Sequence, residues 1–135
     1  MNLNVTPYGF GTKTALPYEQ AVQRTTELLK EEGFGVLTQI DVKQTLKEKL
    51  GVDFCRYVIL GACNPPLAHR AFQAELQIGL LLPCNVVVYE DDGGSAVAFM
   101  DPAVALGVVG NDALEPIAEE ARGRLLRVRE KLASL

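Results

Sequence analysis

One stretch of the sequence, residues 54–63 (FCRYVILGAC), constrains the fold more than any other because it is almost entirely apolar. A run of this length predicts a strand in the middle of a sheet rather than at its edge. The run stops at Asn64-Pro65-Pro66, where asparagine is a favoured helix N-cap and proline suits the first helical position. The sequence therefore predicts a central strand that turns directly into a helix, whose buried face is formed by Leu67, Ala68, Ala71, Phe72 and Leu76.

The rest of the chain alternates between strand and helix patterns. Pro17 opens a helix that Gly33 ends, and the spacing of Asp41 and Gln44 predicts the capped start of a second helix, closed by Gly51. The other predicted elements are strands over 3–14, 34–42, 80–90 and 96–100, a hairpin loop over 91–94, a short helix over 102–106 and a last helix from Pro116. This order predicts an α+β fold of two layers, a mixed β-sheet with α-helices packed on it, in a single domain of residues 1–135.

Composition excludes several classes of protein. The chain has 135 residues, 48% of them hydrophobic and 22% charged, which is enough apolar material for a packed core and unlike a disordered protein. The net charge of -4 provides no positive field for a nucleic acid. Residues 1–6 lack the pattern of a secretory signal, and no stretch approaches the roughly 18 apolar residues of a membrane span. We therefore expect a cytoplasmic protein that binds neither nucleic acid nor membrane.

The cysteines form a repeated motif. Cys63-Asn64 and Cys84-Asn85 both lie at predicted strand ends, and each doublet adjoins a proline. Residues at strand ends can converge in space, and ligand sites in sheets of this kind lie there. The chain's single histidine, His69, lies on the helix that follows Cys63. These five residues, Cys63, Asn64, His69, Cys84 and Asn85, are therefore the candidate catalytic residues.

The position of Cys63 suggests thiol chemistry. A thiol just before a helix N-terminus is stabilised as the thiolate by the helix dipole, and a nearby imidazole adds to this effect. We expect Cys63 to be partly exposed and more reactive than Cys55, which is predicted to be a core residue of the strand. The alternative is that both doublets are turn elements with buried thiols. A metal site of two thiolates and one imidazole lacks a close ligand pair such as CxxC, so neither a metal nor a cofactor is predicted.

Several segments resemble a known family. They are residues 56–65 (RYVILGACNP), Ala68, residues 79–90 (GLLLPCNVVVYE) and residues 100–102 (MDP). Together they resemble the bacterial and archaeal family catalogued as domain of unknown function 302. The resemblance implies a small dimeric α+β domain whose motif includes Cys63, Asn64, Pro65, Pro83, Cys84 and Asn85. It implies no activity, and His69 is not carried over as a family residue.

Two functional hypotheses follow. The first is a thiol-dependent protein, acting in redox or sulfur handling, in which Cys63 is the thiolate, Cys84 its partner and His69 the proton acceptor. In that hypothesis Asn64 and Asn85 orient the site. The second is a non-enzymatic dimeric module that binds a small ligand or a partner. A homodimer is expected because the apolar stripe of the last helix and the Val86-Val87-Val88 strand exceed what one core can hide.

Overall fold

The computed structural model describes residues 5–135, which form five strands, five α-helices and two short 3₁₀ helices. The strands are β1 (Gly9–Thr14), β2 (Gly35–Asp41), β3 (Tyr57–Cys63), β4 (Cys84–Asp91) and β5 (Gly94–Met100). The α-helices are α1 (Tyr18–Glu31), α2 (Val42–Leu50), α3 (Pro65–Ala74), α4 (Pro102–Gly107) and α5 (Glu115–Ala133). The 3₁₀ helices are Leu76–Leu81, which follows α3, and Asp112–Leu114, which precedes α5.

The predicted α+β fold is confirmed, but the sheet is antiparallel rather than mixed. Its strand order is β1-β5-β4-β3-β2, and every neighbouring pair runs antiparallel. Alternation of strand and helix in the sequence suggested parallel neighbours. In the structure, however, α3 and the 3₁₀ helix after it lead the chain out and back to the same end of the sheet, where Ala62 at the end of β3 pairs with Cys84 at the start of β4.

Local signals predicted the starts of α2, α3 and α4 and the end of α2 correctly. The predicted buried face of α3 is confirmed only in part, because the helix ends at Ala74 and both Phe72 and Leu76 are exposed. The Asp41 carboxylate accepts the Gln44 N–H at 2.9 Å at the start of α2, and Gly51 ends that helix with a φ of +68°. The Asp101 carboxylate accepts the Ala103 N–H at 2.9 Å at the start of α4. These caps satisfy backbone N–H groups that have no partner within their helix.

The hydrophobic core lies between one face of the sheet and the helices. Alternate residues of the central strands, such as Leu60, Val86 and Phe99, are almost fully buried on this face. The predicted stripe of α5 is buried in the same core, through Ala118, Ala121, Leu125, Val128 and Leu132. The expected surplus of apolar surface on α5 is therefore not found. Val86 and Val88 are buried in the core as well. Neither α5 nor β4 therefore exposes the apolar residues from which the sequence suggested a dimer interface.

The prediction that Cys55 lies in the core is wrong. β3 begins at Tyr57, two residues after Cys55, and Cys55 and its neighbour Phe54 are exposed in the segment before the strand. The apolar run of residues 54–63 therefore begins before the strand does, and its first residues lie outside the sheet. Among the helices of residues 5–135, none is long and apolar enough to cross a membrane.

Candidate functional site

The two cysteines of the repeated motif converge at one end of the sheet. Cys63 is the last residue of β3, and Cys84 is the first residue of β4. Because Ala62 pairs with Cys84 in the β3–β4 register, Cys63 lies diagonally across from Cys84. Both side chains contribute to the wall of the same cavity. Strand ends separated by 20 residues in sequence thus bring two thiols together.

The cavity has a volume of about 260 Å³, is open to solvent on one side, and is lined by the ends of β3 and β4 together with α3, α4, α5 and the 3₁₀ helix after α3. Its wall is almost entirely apolar. In addition to the two thiols and Asn64, the larger side chains that line it are Phe34, Leu67, Phe72, Leu82, Leu106 and Ile117. A concave apolar site with few polar groups is the usual form of a small-molecule pocket.

Burial keeps both thiols in the neutral form at neutral pH. Burial, with a smaller contribution from nearby Cys63, raises the pKa of Cys84 from 9.0 to about 11. Burial also raises the pKa of the partly exposed Cys63 thiol above its usual value. The dipole of a helix that starts next to a thiol acts on its pKa in the opposite direction, so the reactivity of Cys63 decides between the apolar wall and the start of α3.

Asn64 forms the predicted N-cap of α3. It is 8% exposed, and its Oδ1 accepts the backbone N–H of Leu67 at 3.2 Å. Its Nδ2 lies against Gly33, whose φ is +83° and where a Cβ atom would be only 2.9 Å from that nitrogen. Asn64 therefore lines the cavity while its amide oxygen caps the start of α3 and its Nδ2 lies beside the turn after α1.

The structure does not bring the other two candidate residues to the thiols. His69 is exposed on α3, two positions from each of the buried residues Leu67 and Ala71, which at about 100° per residue puts it on the opposite side of the helix. Asn85 is exposed on the other face of the sheet because side chains alternate along β4. His69, the candidate proton acceptor, and Asn85, one of the two amides expected to orient the site, therefore do not line the cavity.

Sequence reasoning missed most of this wall. Leu37 lies at the irregularity of the β2–β3 register, and Pro102, Leu106 and Ile117 come from α4 and α5. The only signal for any of them was Pro102, which belongs to one of the segments that carried the family resemblance. Within the part of the chain that the structure describes, no group of three or more His, Cys, Asp or Glu side chains is placed to hold a metal ion.

Fold and cavity together define a small α+β protein with a five-stranded antiparallel sheet and an apolar cavity at one end of it. The chain belongs to the family described as "Domain of unknown function DUF302", which matches residues 10–132. The resemblance stated from the sequence is thereby confirmed.

A solved structure supports this assignment. The crystal structure of an uncharacterized conserved DUF302 protein from Bacillus stearothermophilus is similar to this chain with a TM-score of 0.86 and 34% sequence identity. The match covers 93% of this chain and 98% of that one. Among curated proteins, none matches the chain.

Proposed function

We propose that this protein is a binding module for a small, uncharged and largely apolar molecule, which occupies the cavity between α3 and the ends of β3 and β4. One observation carries the proposal: a cavity of about 260 Å³ whose wall is almost entirely apolar. Apolar surface of this kind favours ligand binding, because the transfer of apolar surface out of water lowers the free energy.

Size and charge define the ligand class. At roughly 30 Å³ for each small non-hydrogen group, the volume corresponds to about eight or nine such groups. A charged group has no counter-ion in the wall, because Cys63 and Cys84 are neutral thiols at neutral pH and the Asn64 Oδ1 already accepts a hydrogen bond. Burying an unpaired charge costs several kcal/mol, so neutral ligands are favoured.

Thiol chemistry at Cys63 is the second candidate function. It is supported by the partial exposure of Cys63 and by the presence of Cys84 in the same cavity. The raised pKa of both thiols opposes it, because the thiolate is the nucleophile. Binding is therefore the function that the geometry supports best, with the thiols as soft, polarisable parts of the wall.

The cytoplasmic location expected from the sequence is also retained as a proposal. All three cysteines are free thiols, which is usual in a reducing compartment. Cell fractionation of the tagged protein tests it directly, and recovery in the membrane or secreted fraction would contradict it.

Titration with alkan-1-ols from butan-1-ol to decan-1-ol tests the binding proposal. Isothermal calorimetry should show affinity that rises with chain length and stops rising near octan-1-ol, which fills a cavity of this size. Octanoate should bind at least about tenfold more weakly than octan-1-ol at neutral pH because its charge must be desolvated. Equal affinity for the two, or no binding by any alcohol, would contradict the proposal.

A matched pair of variants locates the binding site. Ala68 lines the cavity from α3, so Ala68→Phe should fill it and weaken octan-1-ol binding by about tenfold or more. Ala113 is exposed on the second 3₁₀ helix, so Ala113→Phe should leave binding unchanged. Circular dichroism checks that both variants fold. In the unmodified protein, octan-1-ol should also protect Cys63 but not Cys55 from alkylation, and equal protection of both would contradict the site.

A further inference from the structure

Two free thiols, those of Cys63 and Cys84, lie near each other in the wall of the apolar cavity. Ala62 is the direct partner of Cys84 in the β3–β4 register, so Cys63 and Cys84 are diagonal neighbours on adjacent strands. Strands lie about 4.8 Å apart and rise about 3.4 Å per residue, which puts the two Cα atoms roughly 6 Å apart. Cysteines with Cα atoms within about 7 Å can be linked through their sulfur atoms. One further atom can therefore bond to both sulfurs.

The electrostatics of the pair supports this short separation. Burial raises the pKa of Cys84 most, and a negative charge on Cys63 raises it further. Because such an interaction weakens with distance, the two sulfurs are near neighbours. Among residues 5–135, none of those that line the cavity carries a charge. A group bound by both sulfurs therefore has to leave the site neutral, because an unpaired buried charge is strongly unfavourable.

Neutrality selects among the soft atoms that thiolates bind. Copper(I) held by two thiolates carries a net negative charge, and zinc(II) sites in proteins use at least three protein ligands. Within the described part of the chain, no third His, Cys, Asp or Glu side chain is placed with the pair to hold a metal. Mercury(II) gives a neutral product with two thiolates but puts no group into the cavity. Trivalent arsenic that carries one organic group gives a neutral product and also has a substituent for the apolar space.

We infer that Cys63 and Cys84 together form a binding site for a trivalent organoarsenic compound, whose arsenic atom bridges the two sulfurs and whose apolar group occupies the cavity. An organic arsonous acid carries one organic group and two hydroxyls on arsenic. It condenses with the two thiols, so two arsenic–oxygen bonds break and two arsenic–sulfur bonds form. Each thiol proton leaves on a hydroxyl as water, and arsenic stays trivalent. The reaction needs no oxidant or reductant, and the thiols enter it in their protonated form.

The site rests on the same cavity as the proposed function, but it depends on both sulfurs, whereas reversible binding of an alcohol does not. Once one sulfur is bonded to arsenic, the second bond forms within the same molecule, which raises the overall affinity by a factor of about 100 or more. Cys55 cannot supply the second sulfur, because it precedes β3 and lies roughly 25 Å from Cys63 at about 3.3 Å per residue.

Phenylarsine oxide, which is hydrated to the arsonous acid in water, is the probe. Native mass spectrometry in excess glutathione should show one phenylarsenic group per chain, because a monothiol cannot compete with two linked sulfurs, whereas 2,3-dimercaptopropanol should remove it. Cys63→Ser and Cys84→Ala should each weaken binding by about 100-fold or more. Cys55→Ser is the matched control and should bind as the unmodified protein does. Circular dichroism establishes that each variant is folded.

The space for the organic group is tested with the two alanine variants used for octan-1-ol. Ala68→Phe should weaken the binding of phenylarsine oxide by about tenfold or more, and Ala113→Phe should leave it unchanged. Retention of arsenic by both Cys63→Ser and Cys84→Ala in glutathione would overturn the inference. Binding of octan-1-ol without binding of phenylarsine oxide would overturn the arsenic site and leave the proposed function intact. Binding of phenylarsine oxide without any alcohol would support the arsenic site and contradict only the proposed function.

Discussion

The three cysteines should react with iodoacetamide in the order Cys55, Cys63, Cys84. Cys55 is exposed, Cys63 is partly exposed with a pKa above the usual value, and Cys84 is buried. Because the pKa of Cys84 is raised from 9.0 to about 11, its thiolate fraction at pH 8 is about one thousandth, compared with about one tenth for a thiol at the ordinary value. Ionisation alone therefore slows Cys84 by about 100-fold relative to such a thiol, and restricted access slows it further.

Mass spectrometry of peptides from samples quenched at intervals measures each rate separately across a pH series. In urea the protein unfolds and all three thiols are exposed to solvent, so the three alkylation rates should become similar. This measurement is the control for the intrinsic reactivity of each cysteine. His69→Ala should leave the rate of Cys63 unchanged because His69 lies on the opposite side of α3. If Cys63 instead reacts faster than Cys55 at neutral pH in the folded protein, the helix N-terminus dominates over desolvation. The reasoning from burial would then be refuted, and thiol chemistry would become the better account of the cavity.

Two further predictions concern stability. Asn64→Ala removes the α3 cap and leaves the Leu67 N–H without its acceptor, so urea unfolding should show a free energy of unfolding lower by about 1 to 2 kcal/mol. Asn64→Asp keeps an acceptor at this position and should cost little through the helix. Equal losses for the two variants would contradict the role of Asn64 as the cap. The pKa of Cys84 is higher in the folded state than in the unfolded state. The neutral Cys84 thiol therefore contributes to the free energy of unfolding below pH 9, and this contribution is lost as the pH rises through about 11. Cys84→Ala should therefore reduce the alkaline fall in stability by about 2 to 3 kcal/mol, and an unchanged slope would contradict the burial of Cys84.

The starts and ends of helices could be predicted from the sequence because local chemistry decides them. Asn64, Asp41 and Asp101 each satisfy a backbone N–H two or three residues ahead, and Gly51 adopts a positive φ that few other residues tolerate. None of these interactions depends on the rest of the fold.

The direction of strand pairing could not be predicted in this way. Whether β4 runs parallel or antiparallel to β3 depends on which end of the sheet the chain returns to after α3, and that depends on how α3 packs against α5 and against the 3₁₀ helices. The same limit explains Phe54 and Cys55. Both are apolar in the sequence, but only the pairing of β3 decides that the strand begins after them.

The repeated Cys-Asn doublet shows how one motif can serve two separate requirements. In the first doublet, Cys63 ends a strand and Asn64 caps a helix, and both residues line the cavity. The second doublet lies wholly within β4, where successive side chains point to opposite faces of the sheet. Cys84 therefore joins Cys63 in the cavity, while Asn85 lies on the opposite face of the sheet. The doublets match in sequence but not in their position relative to a strand end, because the first spans the end of β3 and the second lies inside β4. The convergence of all four residues was therefore an inference that only the observed element boundaries could correct.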